Sequence, residues 1–216
     1  TAYEISTRDW SSDVCSSDLL SVSALMTLAD SPDEYAARLR RPLPFKPDPI
    51  ARRGTAFHTW LESRFADVIP LISDEEMPGA MDEGALDESA LEKLKEKWLR
   101  SSWASRSPYD VEVPFERSID GTILRGRMDA VYKDDDGTFD VVDWKTGSAK
   151  TGDALQIAAI QLAVYRLAWA EIAGVPIEKV RAAFHYVSSE ETVRPSDLLD
   201  EEGLLQLIRG IPLSTE

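Results

Sequence analysis

The sequence predicts an α/β domain with a mixed sheet. A helical N-terminal portion leads into a three-strand meander, then a crossover helix, a strand and a final helix. Three observations predict it. Apolar residues recur every three or four positions up to about Ser102, the period of a helix with one buried face. From Val111 to Trp144 the pattern shortens to strand-like runs separated by short turns. A long apolar stretch, Ala154 to Ala173, then ends on Gly174 with Pro176 just beyond, a helix stop.

In order, Ser21 to Leu25 can cap and begin a short helix, and Ser31-Pro32-Asp33-Glu34 starts a second that runs through Tyr35 to Arg40. Arg41 to Pro49 is proline-rich and reads as an extended connector. Ile50 to about Val68 is a helix with Phe57, Leu61 and Phe65 on one face. Ser73 to Glu88 reads as an acidic solvated loop, and Glu88 to Ser102 as an amphipathic helix. The strands are Val111 to Phe115, Ile123 to Tyr132 and Phe139 to Trp144. A fourth strand, Val180 to Val187, follows the long helix, and a last helix starts at Ser196.

Composition bounds the function. The chain has 216 residues, enough for one good-sized domain, and no apolar run approaches the roughly 18 residues of a membrane span. A single cysteine makes no internal disulfide, which fits a reducing, cytoplasmic setting. A net charge of -15 excludes a general-purpose basic nucleic-acid binder. Contact with DNA would then need attraction from other domains as well. Asp9 to Leu19 reads DWSSDVCSSDL, which back-translates into a widely used sequencing-library adapter. We therefore expect residues 1–19 to be a non-native leader, and residues 20–216 to be one domain from the C-terminal part of a longer chain.

The stretch Val141-Val142-Asp143-Trp144-Lys145-Thr146-Gly147 carries chemistry. Strand alternation puts Asp143 and Lys145 on one face and Val142 and Trp144 on the other. If Asp129 of the preceding strand faces Asp143, the hairpin centre falls on Asp136 and the loop must be odd. Lys133-Asp134-Asp135-Asp136-Gly137 provides such a loop, with Gly137 suited to the left-handed position of a three-residue bulged turn. Two adjacent acids repel unless a cation lies between them, and oxygen ligands favour Mg²⁺ or Mn²⁺. Lys145 beside such a site could orient a water and stabilise charge on an oxygen. Spacing alone leaves a second reading open, a surface hairpin with salt bridges among Arg127, Asp129, Asp143 and Lys145.

Gly126-Arg127-Met128-Asp129, Asp143-Trp144-Lys145-Thr146-Gly147, Gln161 with Tyr165, and upstream Gly54-Thr55-Ala56-Phe57-His58 together resemble the PD-(D/E)XK nucleases. Within them the chain resembles the RecB-type nuclease domain at the C-terminus of actinobacterial UvrD-like and AdnAB-type helicases. The resemblance covers Leu20 onward and implies a restriction-endonuclease-like core. It implies that His58, Asp129, Asp143 and the Trp144 backbone carbonyl hold Mg²⁺ or Mn²⁺, with Lys145 the catalytic lysine. Gln161 and Tyr165, one helical turn apart, would hold the DNA strand or the lysine. Glu112, in the preceding strand, is a candidate for supporting the site or for a second metal. Some relatives bind an iron–sulfur cluster through four cysteines. Ser31-Pro32 stands here where those have Cys-Pro, so no cluster is expected.

The implied function is metal-dependent hydrolysis of single-stranded DNA in break repair and recombination, with exonuclease and endonuclease action both open. A helicase domain in the same chain, and a partner helicase–nuclease subunit, would supply the strand, with no membrane involved. Asp129 and Asp143 would place the metal while water attacks in line with the scissile bond. The alternatives are a cleavage-inactive module that binds DNA or a partner subunit, and a free-standing nuclease without a motor. His185, Trp60, Trp98, Trp103 and Trp169 read as structural, and Glu62 as solvent-exposed.

Overall fold

The computed structural model describes residues 19–40, 49–65 and 88–209. The expected leader up to residue 18, the proline-rich connector and most of the acidic loop lie outside them. A strand β1 (Leu19–Ser21) is followed by four helices, α1 (Val22–Asp30), α2 (Pro32–Arg40), α3 (Pro49–Phe65) and α4 (Glu88–Arg100). Then come β2 (Asp110–Ile119), β3 (Thr122–Lys133), β4 (Phe139–Lys145), α5 (Gly152–Ala173), β5 (Val180–Tyr186), β6 (Glu191–Val193) and α6 (Glu201–Arg209).

The helix starts follow local chemistry. Ser21 Oγ accepts the Ala24 amide at 3.1 Å, and Ser31 Oγ accepts that of Glu34 at 3.4 Å, the two caps expected of these serines. Gly174 ends α5 in the left-handed region at φ 63°. The last helix begins five residues later than expected, because the Asp200 carboxylate accepts the Gly203 amide at 2.8 Å and sets the cap there. Two strands escape the sequence pattern. β1 and β6 have three residues each, too few to show a period, and Leu19, expected in the leader, pairs with Ile123.

The sheet is mixed, as expected. β2 and β3 pair antiparallel along nearly their whole length, β3 and β4 antiparallel, β4 and β5 parallel across α5, and β5 and β6 antiparallel. Ala130 pairs with Val142 and Lys133 with Phe139, which centres the hairpin on Asp136. Gly137, at φ 78°, makes the bulged turn, with the Asp134 amide donating to the Thr138 carbonyl at 2.8 Å. One edge of β3 is occupied by β2; the other carries β1 at Ile123 to Arg125 and β4 from Ala130 onward. Between them, Gly126 to Asp129 have no strand partner on that edge among the described residues.

Two cores cover the two faces of the sheet. One contains Val141, Phe184 and Tyr165 and packs under α1, α5 and α6. The other contains Val142, Trp144, Tyr132, Trp98 and Trp103 under α3 and α4. Of the four tryptophans expected to be structural, Trp98, Trp103 and Trp169 are buried, and Trp60 packs partly buried against the second core.

Along β2 and β3 the pleat changes phase. Val113, Phe115 and Met128 belong to the first core, whereas Val111, Ala130 and Tyr132, of the same parity, belong to the second. The change falls at Glu112, whose φ of 50° is left-handed and costs about 1–2 kcal/mol for a residue other than glycine. Register is kept across it, with Val111 opposite Ala130 and Val113 opposite Met128.

His185 is 2% exposed, donates to or accepts from Thr192 Oγ1 at 3.0 Å, and faces the Trp144 ring. Burial lowers its pKa to about 4, so the fold holds it neutral. The unfolded chain binds a proton below pH about 6.5 that the fold refuses. Stability contributed by neutral His185 is therefore complete above that pH and lost as pH falls toward 4, by about 3 kcal/mol. Urea denaturation at stepped pH should show this slope, and His185→Gln should flatten it.

Candidate active site

The site is built where β4 ends and the unpaired edge of β3 begins. Val141 and Val142 are fully buried in opposite cores, which fixes the strand. Trp144 then points under α3 and α4, where Trp98, Trp103 and Tyr132 meet its ring edge-on at 5.8, 6.0 and 6.4 Å. With the ring held, the Trp144 backbone becomes a rigid fixture. Its amide donates to Asp129 Oδ2 at 2.8 Å, and its carbonyl accepts from His58 Nε2 at 3.1 Å.

His58 comes from α3, which the buried Phe57 and Leu61 anchor in the second core, and its own side chain is half-buried. Its Nε2–H is used on the Trp144 carbonyl, which leaves Nδ1 as the lone-pair nitrogen, 3.6 Å from Asp129 Oδ2. Burial lowers the His58 pKa against the pull of Asp143 and Glu112, so the ring is neutral and able to bind a cation. His58, Glu112 and Asp129 each offer a ligand atom, and these atoms lie within 4.8 Å of one another. Glu112 joins this group through its left-handed backbone, at the position opposite Asp129.

Asp143 and Lys145 project toward α5. Asp143 Oδ2 is paired with Lys145 Nζ at 2.7 Å and is otherwise buried without a hydrogen bond among the described residues. Lys145 Nζ donates to Gln161 Oε1 at 2.9 Å, and Gln161 Nε2 donates to the Tyr165 hydroxyl at 2.8 Å. Tyr165 meets Phe115 edge-on at 5.6 Å. Behind Phe115 only glycine fits at 126, since a Cβ there would lie 2.8 Å from Phe115 Cζ and 3.0 Å from Val22 Cγ2.

Charge is concentrated here. Burial first, and then the neighbouring Asp143, hold the Asp129 carboxyl well above the usual carboxylate range. Burial pulls the Lys145 ammonium down, but Asp143 and Asp129 outweigh it and keep it charged. Tyr165 is pushed up by burial and stays protonated. Two carboxylates and an imidazole, with the Asp143 oxygen close by, suit a hard divalent cation, and the repulsion between buried acids gives it a reason to bind.

The structure thus brings together all the residues picked out in the sequence, with differences in grouping. Glu112 lies in the cluster with His58 and Asp129, while Asp143 turns to Lys145 and the Trp144 carbonyl to His58. Of the salt-bridge reading only Lys145 with Asp143 is present, whereas Arg127 pairs with Glu112 at 3.2 Å, outside that set. The sequence had no signal for the Glu112 backbone, because nothing in Val111-Glu112-Val113 marks a left-handed residue.

The family model described as the PD-(D/E)XK nuclease superfamily matches residues 19–210. The chain belongs to this superfamily. A crystal structure of an exonuclease candidate from Eubacterium rectale is similar, at 16% identity and a TM-score of 0.65, over 98% of this chain and 85% of that one. The crystal structure of SSO0001 aligns over 90% of this chain and 75% of its own, at 16% identity and a TM-score of 0.45. At 16% identity the likeness to the Eubacterium rectale structure shows the fold alone. No curated protein matches the chain. Among the described residues, no helix of this superfamily member is long and apolar enough to cross a membrane.

Proposed function

We propose that the chain is a divalent-metal-dependent nuclease that hydrolyses phosphodiester bonds of single-stranded DNA. The observation that supports this most is the convergence of His58, Glu112 and Asp129 beside Asp143 and Lys145 at one end of the sheet. On this reading His58, Glu112, Asp129 and Asp143 hold Mg²⁺ or Mn²⁺, with the Trp144 carbonyl, now bonded to His58, as a further ligand. When bound, the cation supplies Lewis-acid stabilisation of charge on the phosphate. Lys145 orients the attacking water and stabilises charge on the phosphate oxygens. Gln161 and Tyr165 aim the lysine, and their hydrogen-bonded chain keeps its ammonium at the mouth of the site.

The RecB-type character, the helicase partner, the role in break repair and the C-terminal position in a longer chain belong to the same proposal. The order of the four motifs and the Ser-rich and Arg-Pro-rich segments before His58 support them. The net charge of -15 also fits a domain that receives its strand from a neighbour.

Cleavage of a labelled single-stranded oligonucleotide with Mn²⁺ or Mg²⁺ tests the proposal. Wild type should cut, and Asp143→Ala and Lys145→Ala should each lose at least about 100-fold in rate, the size of a general acid–base or charge-stabilising contribution. An inert wild type, or two fully active variants, would overturn the assignment.

A further inference from the structure

Beside the site, on the outer side of the β2–β3 hairpin, lies an open groove of about 710 Å³ lined by Arg125, Gly126 and Arg127 of β3 and by Phe115 and Glu116 of β2. Gly126 lies between the two arginines, and its Cβ direction runs the other way, against the Phe115 ring and Val22 of the first core. Arg125 and Arg127 share a face, so they present two cations about 7 Å apart along β3. That spacing is close to the repeat of phosphates along an extended single strand. Arg125 is exposed and makes no ion pair among the described residues, in a chain whose acids far outnumber its bases. Such an unpaired cation is a ready phosphate contact.

Arg127 differs. Its side chain is 61% exposed, yet its guanidinium reaches back to Glu112 Oε2 at 3.2 Å. Glu112 is also in the His58 and Asp129 cluster, so one carboxylate serves two competing cations. A divalent ion at the cluster and the Arg127 guanidinium draw on the same charge. Occupation by the ion weakens the hold on Arg127, which is then free to turn into the groove.

We propose that Arg125 and Arg127 form the phosphate track for a single DNA strand entering the site, and that Glu112 holds Arg127 back until a divalent cation takes that carboxylate. This rests on the reading of His58, Glu112 and Asp129 as cation ligands. It makes strand binding and metal binding cooperative, because each releases what the other needs.

Fluorescence anisotropy of a labelled oligothymidylate tests it, with Mn²⁺ in a Lys145→Ala background so that the strand stays intact, and in EDTA. With Mn²⁺, replacing both arginines by alanine should weaken binding at least about tenfold and lower the salt slope by about 0.7 for each phosphate that is no longer neutralised. In EDTA, Glu112→Gln should tighten binding several-fold, and the gain should vanish when Arg127→Ala is added. Glu62→Gln, the same charge change on α3, should give no such gain. Unchanged affinity and slope in the double arginine variant, or a Glu112→Gln gain that survives Arg127→Ala, would overturn the proposal. Failure of the nuclease reading looks different: wild type would not cut with Mn²⁺ although the anisotropy responses hold.

Discussion

Asp129→Asn is expected to abolish cleavage while leaving the metal-free fold at least as stable as wild type. Asparagine keeps the size of the side chain and an oxygen to accept the Trp144 amide, which Asp129 Oδ2 now does at 2.8 Å. It removes a buried carboxylate whose ionisation is opposed by burial and by Asp143. In the absence of metal that charge is a cost, so its removal should raise the midpoint of unfolding or leave it unchanged. With Mn²⁺ the order reverses. Wild type gains about 2.7 kcal/mol at a hundredfold excess over the dissociation constant, and the variant gains little of it. Cleavage should fall about 1,000-fold or more, a loss of roughly 4 kcal/mol of transition-state stabilisation. Thermal melts with and without Mn²⁺, beside the cleavage assay, check all three parts. A variant that is grossly unfolded without metal would show that Asp129 serves packing instead.

The second large effect concerns the aromatic layer under the site. Trp98 is fully buried and meets Trp60, Phe65 and Trp144 at ring separations of 5.7 to 5.8 Å. Trp98→Ala should cost about 3–5 kcal/mol, a large share of the roughly 5–15 kcal/mol that holds a domain together. The damage reaches the chemistry through Trp144, whose ring is then left without this edge-on neighbour while its backbone holds both His58 and Asp129. Trp98→Phe distinguishes packing from hydrogen bonding. The Trp98 indole N–H is buried with no acceptor among the described residues, so phenylalanine removes an unsatisfied donor and keeps an aromatic ring in place. Its cost should stay below about 2 kcal/mol, and cleavage should persist. Chemical denaturation of the two variants checks the difference.

The hairpin was legible because its constraints are local. An odd loop ending in Gly137 and two alternating strands fix the register, which pairs Ala130 with Val142, one step short of Asp129 and Asp143. The long helix was legible from its apolar length and its glycine stop, and its Gln161–Tyr165 face follows from helical spacing. β1 and β6 were not, since three residues carry no period and their pairing is set by distant partners. Glu112 was visible as an acid in the right strand, but its place in the cluster goes with a left-handed backbone that no residue type around it marks. The pairing of Asp143 with Lys145 was open to the sequence, since strand alternation puts both on one face, whereas the Gln161 contact to the lysine needs α5 in place.

The nuclease reading stands or falls on a divalent cation among His58, Glu112 and Asp129, with Asp143 beside it. Crystals of the wild-type chain grown with Mn²⁺ and measured for anomalous scattering test it directly. A manganese peak is expected within bonding distance of the His58 ring and of the Glu112 and Asp129 carboxylates, and it should vanish in Asp129→Asn. Manganese bound only elsewhere, or a peak undiminished in that variant, would contradict it.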